Sequence, residues 1–234
     1  RRLHREQAFR IGIQTLSGRV GPEAAGRGFT NLADAVMRTL SAVALRETGR
    51  LGGTMPGAVA VIALGKAGSG EMTAGSDRDL MTVYDAPPEV TSAGRGWSAD
   101  TFYVRFTQRL ISALSAHTAE GGLYEVDMRL RPGAAKGPVS LRLEAVQDYY
   151  AAEADTWEFM ALTRARVVWT DDTAFGARTV AAIEAILRRP RPGVDVASDA
   201  RRMRDLMARE RPGQGAWDLN LSPGGQVDAE FVAQ

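Results

Sequence analysis

Cysteine is absent from the 234-residue chain, which excludes disulfide staples, thiolate zinc sites and cysteine nucleophiles and is compatible with a reducing compartment. Histidine is almost absent. His4 and His117 are the only two and lie far apart, so imidazole-rich metal sites and serine–histidine mechanisms find no support. Lysine is reduced to Lys66 and Lys136, the other 27 cations being arginine. Charge of one sign is also missing: 29 basic against 28 acidic side chains argues against a nonspecific nucleic-acid coat, which needs clustered excess cation. The longest apolar run, 58–64, is strand-sized and far short of the roughly 20 residues a bilayer requires, and no signal peptide is recognisable. What is present is an ordinary globular composition, 44% hydrophobic and 24% charged, in a chain long enough for one domain or two small ones. Carboxylates, hydroxyls, backbone amides and arginines must carry any chemistry. A start at Arg-Arg-Leu-His without Met and a stop in mid-pattern at Gln234 read as an excised piece of a longer protein.

Periodicity predicts a helix over 2–14, with Leu3, Ala8, Phe9 and Ile13 near one face, and a stronger one over about 32–47 behind a Thr30-Asn31 cap signal. Residues 58–64 suit a strand covered on both faces, followed by a Gly-rich turn at 65–70. A second strand is expected over 80–84 and a helix over 99–116, with Phe102, Phe106, Leu110 and Leu114 on one face. The alternation over 123–130 predicts a third strand, and 132–138 a loop. Helical segments are expected near 144–152, 155–169, 173–188 and 196–210, with a hinge at 188–193. The division is a strand-bearing unit over 1–142 and a helical module over 143–234.

Asp77 and Asp79 stand two apart where the second strand begins, so both carboxylates leave one face, as hard, anionic ligands for Mg²⁺ do. An apolar strand runs into Gly65-Lys66 ten residues upstream, and Asp127 lies on the third predicted strand. Strand, Gly-turn, spacer and Asp-x-Asp together resemble the nucleotidyltransferase fold, in which the turn admits phosphates to backbone amides while carboxylates hold metal ions. Lys66 departs from the Gly or Ser common at that place.

Four blocks sharpen the resemblance: 63–80 (ALGKAGSGEMTAGSDRDL), 124–132 (YEVDMRLRP), 156–168 (TWEFMALTRARVV) and 224–231 (GGQVDAEF). In this order they resemble the glutamine synthetase adenylyltransferase family, over about residues 30–234. The resemblance implies an α+β, polymerase β-like nucleotidyltransferase core with a small mixed sheet, flanked and followed by helices. It further implies one cytoplasmic half of a longer two-half enzyme that transfers AMP from ATP to a tyrosine of glutamine synthetase, with no nucleic-acid or membrane partner and with a nitrogen-signalling protein as regulator. The wording of 122–127 and 156–158 is more like the C-terminal, adenylylating half. The phosphorolytic half, or a nucleotidyltransferase acting on RNA or a small molecule, is the alternative.

On this resemblance Asp77, Asp79 and Asp127 would hold two Mg²⁺ ions, with Mn²⁺ as substitute, about 3.5–4 Å apart. Gly65, Lys66, Gly75 and Ser76 would meet phosphate. Arg129 and Arg131 share the strand face of Asp127 and would either clamp triphosphate or pair with the acids. Glu158, Leu162 and Arg166, spaced i, i+4, i+8, suggest with Trp157 and Arg164 a structural salt link, His117 a surface position, and the arginines between 188 and 211 a solvated or partner-facing helix surface.

Overall fold

The computed structural model describes all residues except 134–136, 192–194, 211, 212, 214 and 216; Lys136, Arg211 and parts of the expected 132–138 loop and 188–193 hinge lie outside the described residues. The chain folds as a mixed α/β structure around a small mixed sheet. Its central strand, β1 (Ala58–Ala63), is buried at every position. Val59, Val61 and Ala63 face one way and Ala60 and Ile62 the other, into two separate apolar clusters, as the unbroken apolar run requires. Each fully covered Val or Ile contributes about 1.5–3 kcal/mol of apolar burial.

On one side β1 pairs antiparallel with β2 (Arg78–Asp85), and β2 in turn carries the short parallel strands β3 (Val126–Asp127) and β4 (Ser140–Arg142). On the other side β1 pairs antiparallel with β5 (Arg166–Thr170). Helices α2 (Pro22–Gly52) and α4 (Ala99–Ser115) cover one face, where Met37, Phe102, Phe106, Leu110 and Leu114 pack. Helices α5 (Leu143–Ala152), α6 (Thr156–Leu162) and α7 (Thr173–Arg188) cover the other with Val146, Tyr150, Phe159, Phe175 and Ile183.

Four local expectations are corrected. The second helix starts ten residues early, with Pro22 at its first position; Thr30 is no cap but lies inside, its hydroxyl donating to Gly26 O (2.8 Å) and accepting from Met72 N (3.3 Å). The 65–70 turn is wound into a single short helix, α3 (Gly65–Ser69). The strand expected over 123–130 is reduced to two residues. Leu123 N and Tyr124 N both bond to Leu114 O at the end of α4, and after Asp127 its own carboxylate accepts from Arg129 N (2.8 Å), turning the chain away from the sheet. Finally, 155–169 is not one helix. It ends at Leu162, and Arg166-Val-Val-Trp-Thr170 becomes β5, because a β-branched, aromatic run fits the open edge of β1 better than a further helical turn.

Helix α1 (Arg2–Leu16) forms as expected and packs on α2, yet Leu3 and Phe9 are 67% and 71% exposed and α1 has no buried residue. Helix α8 (Val196–Glu210) likewise has no buried residue and carries Arg201, Arg202 and Arg209 in solvent, whereas Arg204 pairs with Asp228 of α9 (Gln226–Ala233), which buries Val227. His117 is exposed beyond the end of α4. No helix among the described residues is long and apolar enough to cross a membrane.

Candidate active site

The site is built where β1 ends. Leu64 N donates to Asp79 O (2.9 Å), and the chain then turns at Gly65 with φ +50° into α3. A side chain at Gly65 would run into the Asp79 carboxylate, so glycine supplies both the left-handed turn and the space that this carboxylate occupies. Asp79 and Asp127 are register partners on the parallel pair β2/β3, which puts their side chains next to each other on one face, and Asp77 precedes Asp79 by two residues. Thus the two elements that hold the acids are joined by backbone pairing rather than by the acids themselves.

The electrostatics follow from that placement. Burial raises the Asp79 carboxyl above the usual carboxylate range; the charges of Asp127 and Asp77 raise it further, and Arg129 and Arg164 oppose the shift. Asp127 accepts from the Arg129 guanidinium through Nε at 2.7 Å and Nη2 at 2.5 Å, and this bond raises the Arg129 pKa in return. Among the described residues no three histidine or acidic side chains are gathered into a metal-holding group.

The other sequence-predicted residues divide. Ser76 closes its own turn, its hydroxyl accepting from Thr73 N (2.9 Å), and Gly75 is exposed with open space around its Cα. Lys66 sits half-buried in α3 beside the Asp79 turn, and among the described residues it enters no ion pair. Arg129 is exposed and pairs with an acid, one of its two expected roles. Arg131 turns its guanidinium into the chain, where the charge of Asp127 still reaches it. It is 5% exposed and donates to the carbonyls of Met128, Gly137 and Pro138, because the turn after Asp127 breaks the strand alternation that would have placed it beside that acid.

The expected salt link takes another form. Arg166, on β5 rather than on a helix with Glu158, grips Asp34 of α2 through two bonds of 2.7 and 3.0 Å and donates to Ala67 O and Gly68 O of α3. Glu158 caps its own helix through Asp155 N (2.9 Å) and accepts from Tyr149 Oη (2.9 Å). Arg164 pairs with Glu230 of α9 at 3.0 Å, linking the last sequence block to a residue whose charge reaches Asp79. Arg78, between the two aspartates, is buried at the first position of β2.

One prediction arises from the turn. Gly65→Ala is expected to strain the backbone by about 1–2 kcal/mol and to push the Asp79 carboxylate aside. At roughly 2–4 °C per kcal/mol in a chain of this size, thermal unfolding should fall by several degrees; an unchanged Tm would show that the close approach is unimportant.

Comparison with known proteins agrees with the motifs. The family model described as glutamate-ammonia ligase adenylyltransferase matches residues 1–182. A protein of Caulobacter vibrioides named bifunctional glutamine synthetase adenylyltransferase/adenylyl-removing enzyme is 57% identical over the whole chain, and proteins of the same name from Brucella suis and Mesorhizobium japonicum are 47% and 44% identical over 98% of it. The chain spans about a quarter of the length of these relatives, 24%, 24% and 23% respectively.

Proposed function

The chain belongs to the glutamate-ammonia ligase adenylyltransferase family, and from that premise we propose that it transfers AMP from ATP to a tyrosine of glutamine synthetase, with pyrophosphate leaving. The observation that carries this reading is the pairing of Asp79 with Asp127 across β2/β3, with Asp77 two residues away and Gly65 open beside them. In this reading the fold is a nucleotidyltransferase core over 1–142, followed by a helical module over 143–234 that returns β5 to the core's sheet. We place the reaction in the cytoplasm.

The donors are of the chemical kind that a divalent cation takes. Their oxygens are hard and anionic, and Asp79 carries the repulsion of two like charges that a cation relieves. Asp77, Asp79 and Asp127 would hold the metal, which supplies charge neutralisation on the triphosphate and lowers the barrier to losing pyrophosphate. The residues themselves do the rest. Gly65, Gly75 and Ser76 let backbone approach the phosphates, and Lys66 meets them as a point charge. A tyrosyl hydroxyl ionises near pH 10, so a carboxylate must take its proton as the new O–P bond forms; Asp127, at the β3 edge, is that acceptor in our reading. Attack on the α-phosphorus breaks its bond to the bridging oxygen, and the electron pair leaves with pyrophosphate.

Arg129 occupies the Asp127 carboxylate that the cation requires. Arg129→Gln is therefore expected to tighten Mn²⁺ binding several-fold, read by electron paramagnetic resonance, as the guanidinium competing for the carboxylate is lost. Weaker Mn²⁺ binding would contradict this competition.

The relatives' names carry two activities, so removal of AMP by phosphorolysis is the second reading. Incubation with ATP, Mg²⁺ and unmodified glutamine synthetase tests the first: a mass gain of one AMP on tyrosine with pyrophosphate release supports it. ADP release from adenylylated glutamine synthetase and inorganic phosphate, without that gain, supports the second.

A further inference from the structure

We propose that Arg78, the residue between the two aspartates, is a positioning residue that fixes their orientation through a buried stack on Tyr124. Arg78 is 2% exposed, among the largest fully buried side chains of the protein. It shares the β2 face of Leu80 and Tyr84, under α2 and α4, whereas Asp79 shares the opposite face of Met81 and Val83. It therefore cannot touch a ligand held by the aspartates and acts on them through the backbone.

Three sets of contacts define the device. Nη1 donates to Ser76 O (2.6 Å) and Asp77 O (3.2 Å), which pins the peptide units leading into the carboxylate pair. The guanidinium lies 3.4 Å from the centroid of the Tyr124 ring, and Arg78 N donates to Glu125 O (3.0 Å), so the segment that delivers Asp127 is tied to the one that delivers Asp77 and Asp79. The Tyr124 hydroxyl and His4 Nε2 share a 2.6 Å hydrogen bond, with the rings edge to face, which extends the stack to α1. Nε of Arg78 is buried without a hydrogen-bond partner. A guanidinium taken from water with one donor unsatisfied is held at a cost that a strand position needing only an apolar side chain would avoid.

This inference rests on the reading that Asp77, Asp79 and Asp127 hold a divalent cation, and the test reads Mn²⁺ binding separately from AMP transfer. Tyr124→Phe keeps the ring face and loses the hydroxyl with its bonds to His4 and Arg78; Tyr124→Leu and Arg78→Lys remove the stack. Misplacing ligand carboxylates through their supporting residues typically weakens metal affinity or rate by about 10–100-fold. Tyr124→Leu and Arg78→Lys are thus expected to weaken Mn²⁺ binding about tenfold or more and to lower kcat more than they raise KM, with Tyr124→Phe close to the parent chain in both. A role confined to stability predicts otherwise: Mn²⁺ affinity within twofold of the parent in folded Tyr124→Leu and Arg78→Lys overturns the proposal. So does equal impairment of the Phe and Leu variants. A parent chain that binds Mn²⁺ but transfers no AMP counts against the adenylyl-transfer reading alone, since the Mn²⁺ comparison still decides the role of Arg78.

Discussion

Replacing Asp77 and Asp79 together by asparagine is expected to lower AMP transfer by at least about 10³-fold while leaving the chain folded and somewhat more stable than the parent. The loss corresponds to about 4 kcal/mol of transition-state stabilisation, the scale on which metal-held charge acts at a transferring phosphoryl group. The gain in stability follows from the fold alone. Asp79 is partly buried beside two like charges, which raises its pKa, so its ionised form is disfavoured in the native state relative to the unfolded chain. Between the unfolded and the raised native pKa the native state binds the extra proton; hence Asp79's contribution to stability grows as pH falls through the native value and is lost as pH rises above it. Asparagine removes that penalty at neutral pH. Thermal unfolding against pH, with and without Mg²⁺, checks each element: the parent should be stabilised by Mg²⁺ at neutral pH and the double variant should not. A double variant that retains transfer within a few-fold of the parent would mean that these carboxylates are not the reaction centre.

The second large effect concerns stability. Arg166→Ala removes two bonds to Asp34 and two to the carbonyls of Ala67 and Gly68, releasing α2, α3 and β5 from one another and leaving the largely buried Asp34 carboxylate without its fork. The expected loss is about 3 kcal/mol, the low end for a broken buried pair because the guanidinium is one-third exposed. That lowers Tm by roughly 6–12 °C, out of a total stability of about 5–15 kcal/mol for a domain. Arg166→Lys should recover little, since an ammonium cannot bridge both carboxylate oxygens and two carbonyls. The Asp34→Ala, Arg166→Ala pair should be less destabilised than the sum of the single changes, because the second removes a group already stranded by the first. A Tm within 2 °C of the parent for Arg166→Ala would show that this link is incidental.

What could be read from the sequence was local. The apolar run of β1, the Phe102–Leu114 face of α4 and the Asp-x-Asp at the start of β2 each announce themselves within a few residues, and all lie where periodicity and composition place them. What could not be read was decided by distant partners. Residues 166–170 carry a helical spacing and a strand composition, and the open edge of β1, some hundred residues earlier, selects the strand. Arg131 alternates correctly with Asp127 on paper, but the Asp127 carboxylate captures Arg129 N and ends the strand before that alternation can act. Arg78 reads as the variable middle of a motif until Tyr124 is seen beneath it. The short β3 itself is visible only through its pairing with β2, although that pairing is what brings Asp127 to Asp79.

Transfer of label from ATP to glutamine synthetase tests the central claim most directly. With Mg²⁺ present, label in the α-phosphate should appear on a tyrosine of glutamine synthetase, label in the γ-phosphate should leave as pyrophosphate, and the Asp77→Asn, Asp79→Asn chain should do neither. Failure of the folded, Mg²⁺-binding parent chain to move α-label to glutamine synthetase, or equal transfer by the double variant, would contradict it.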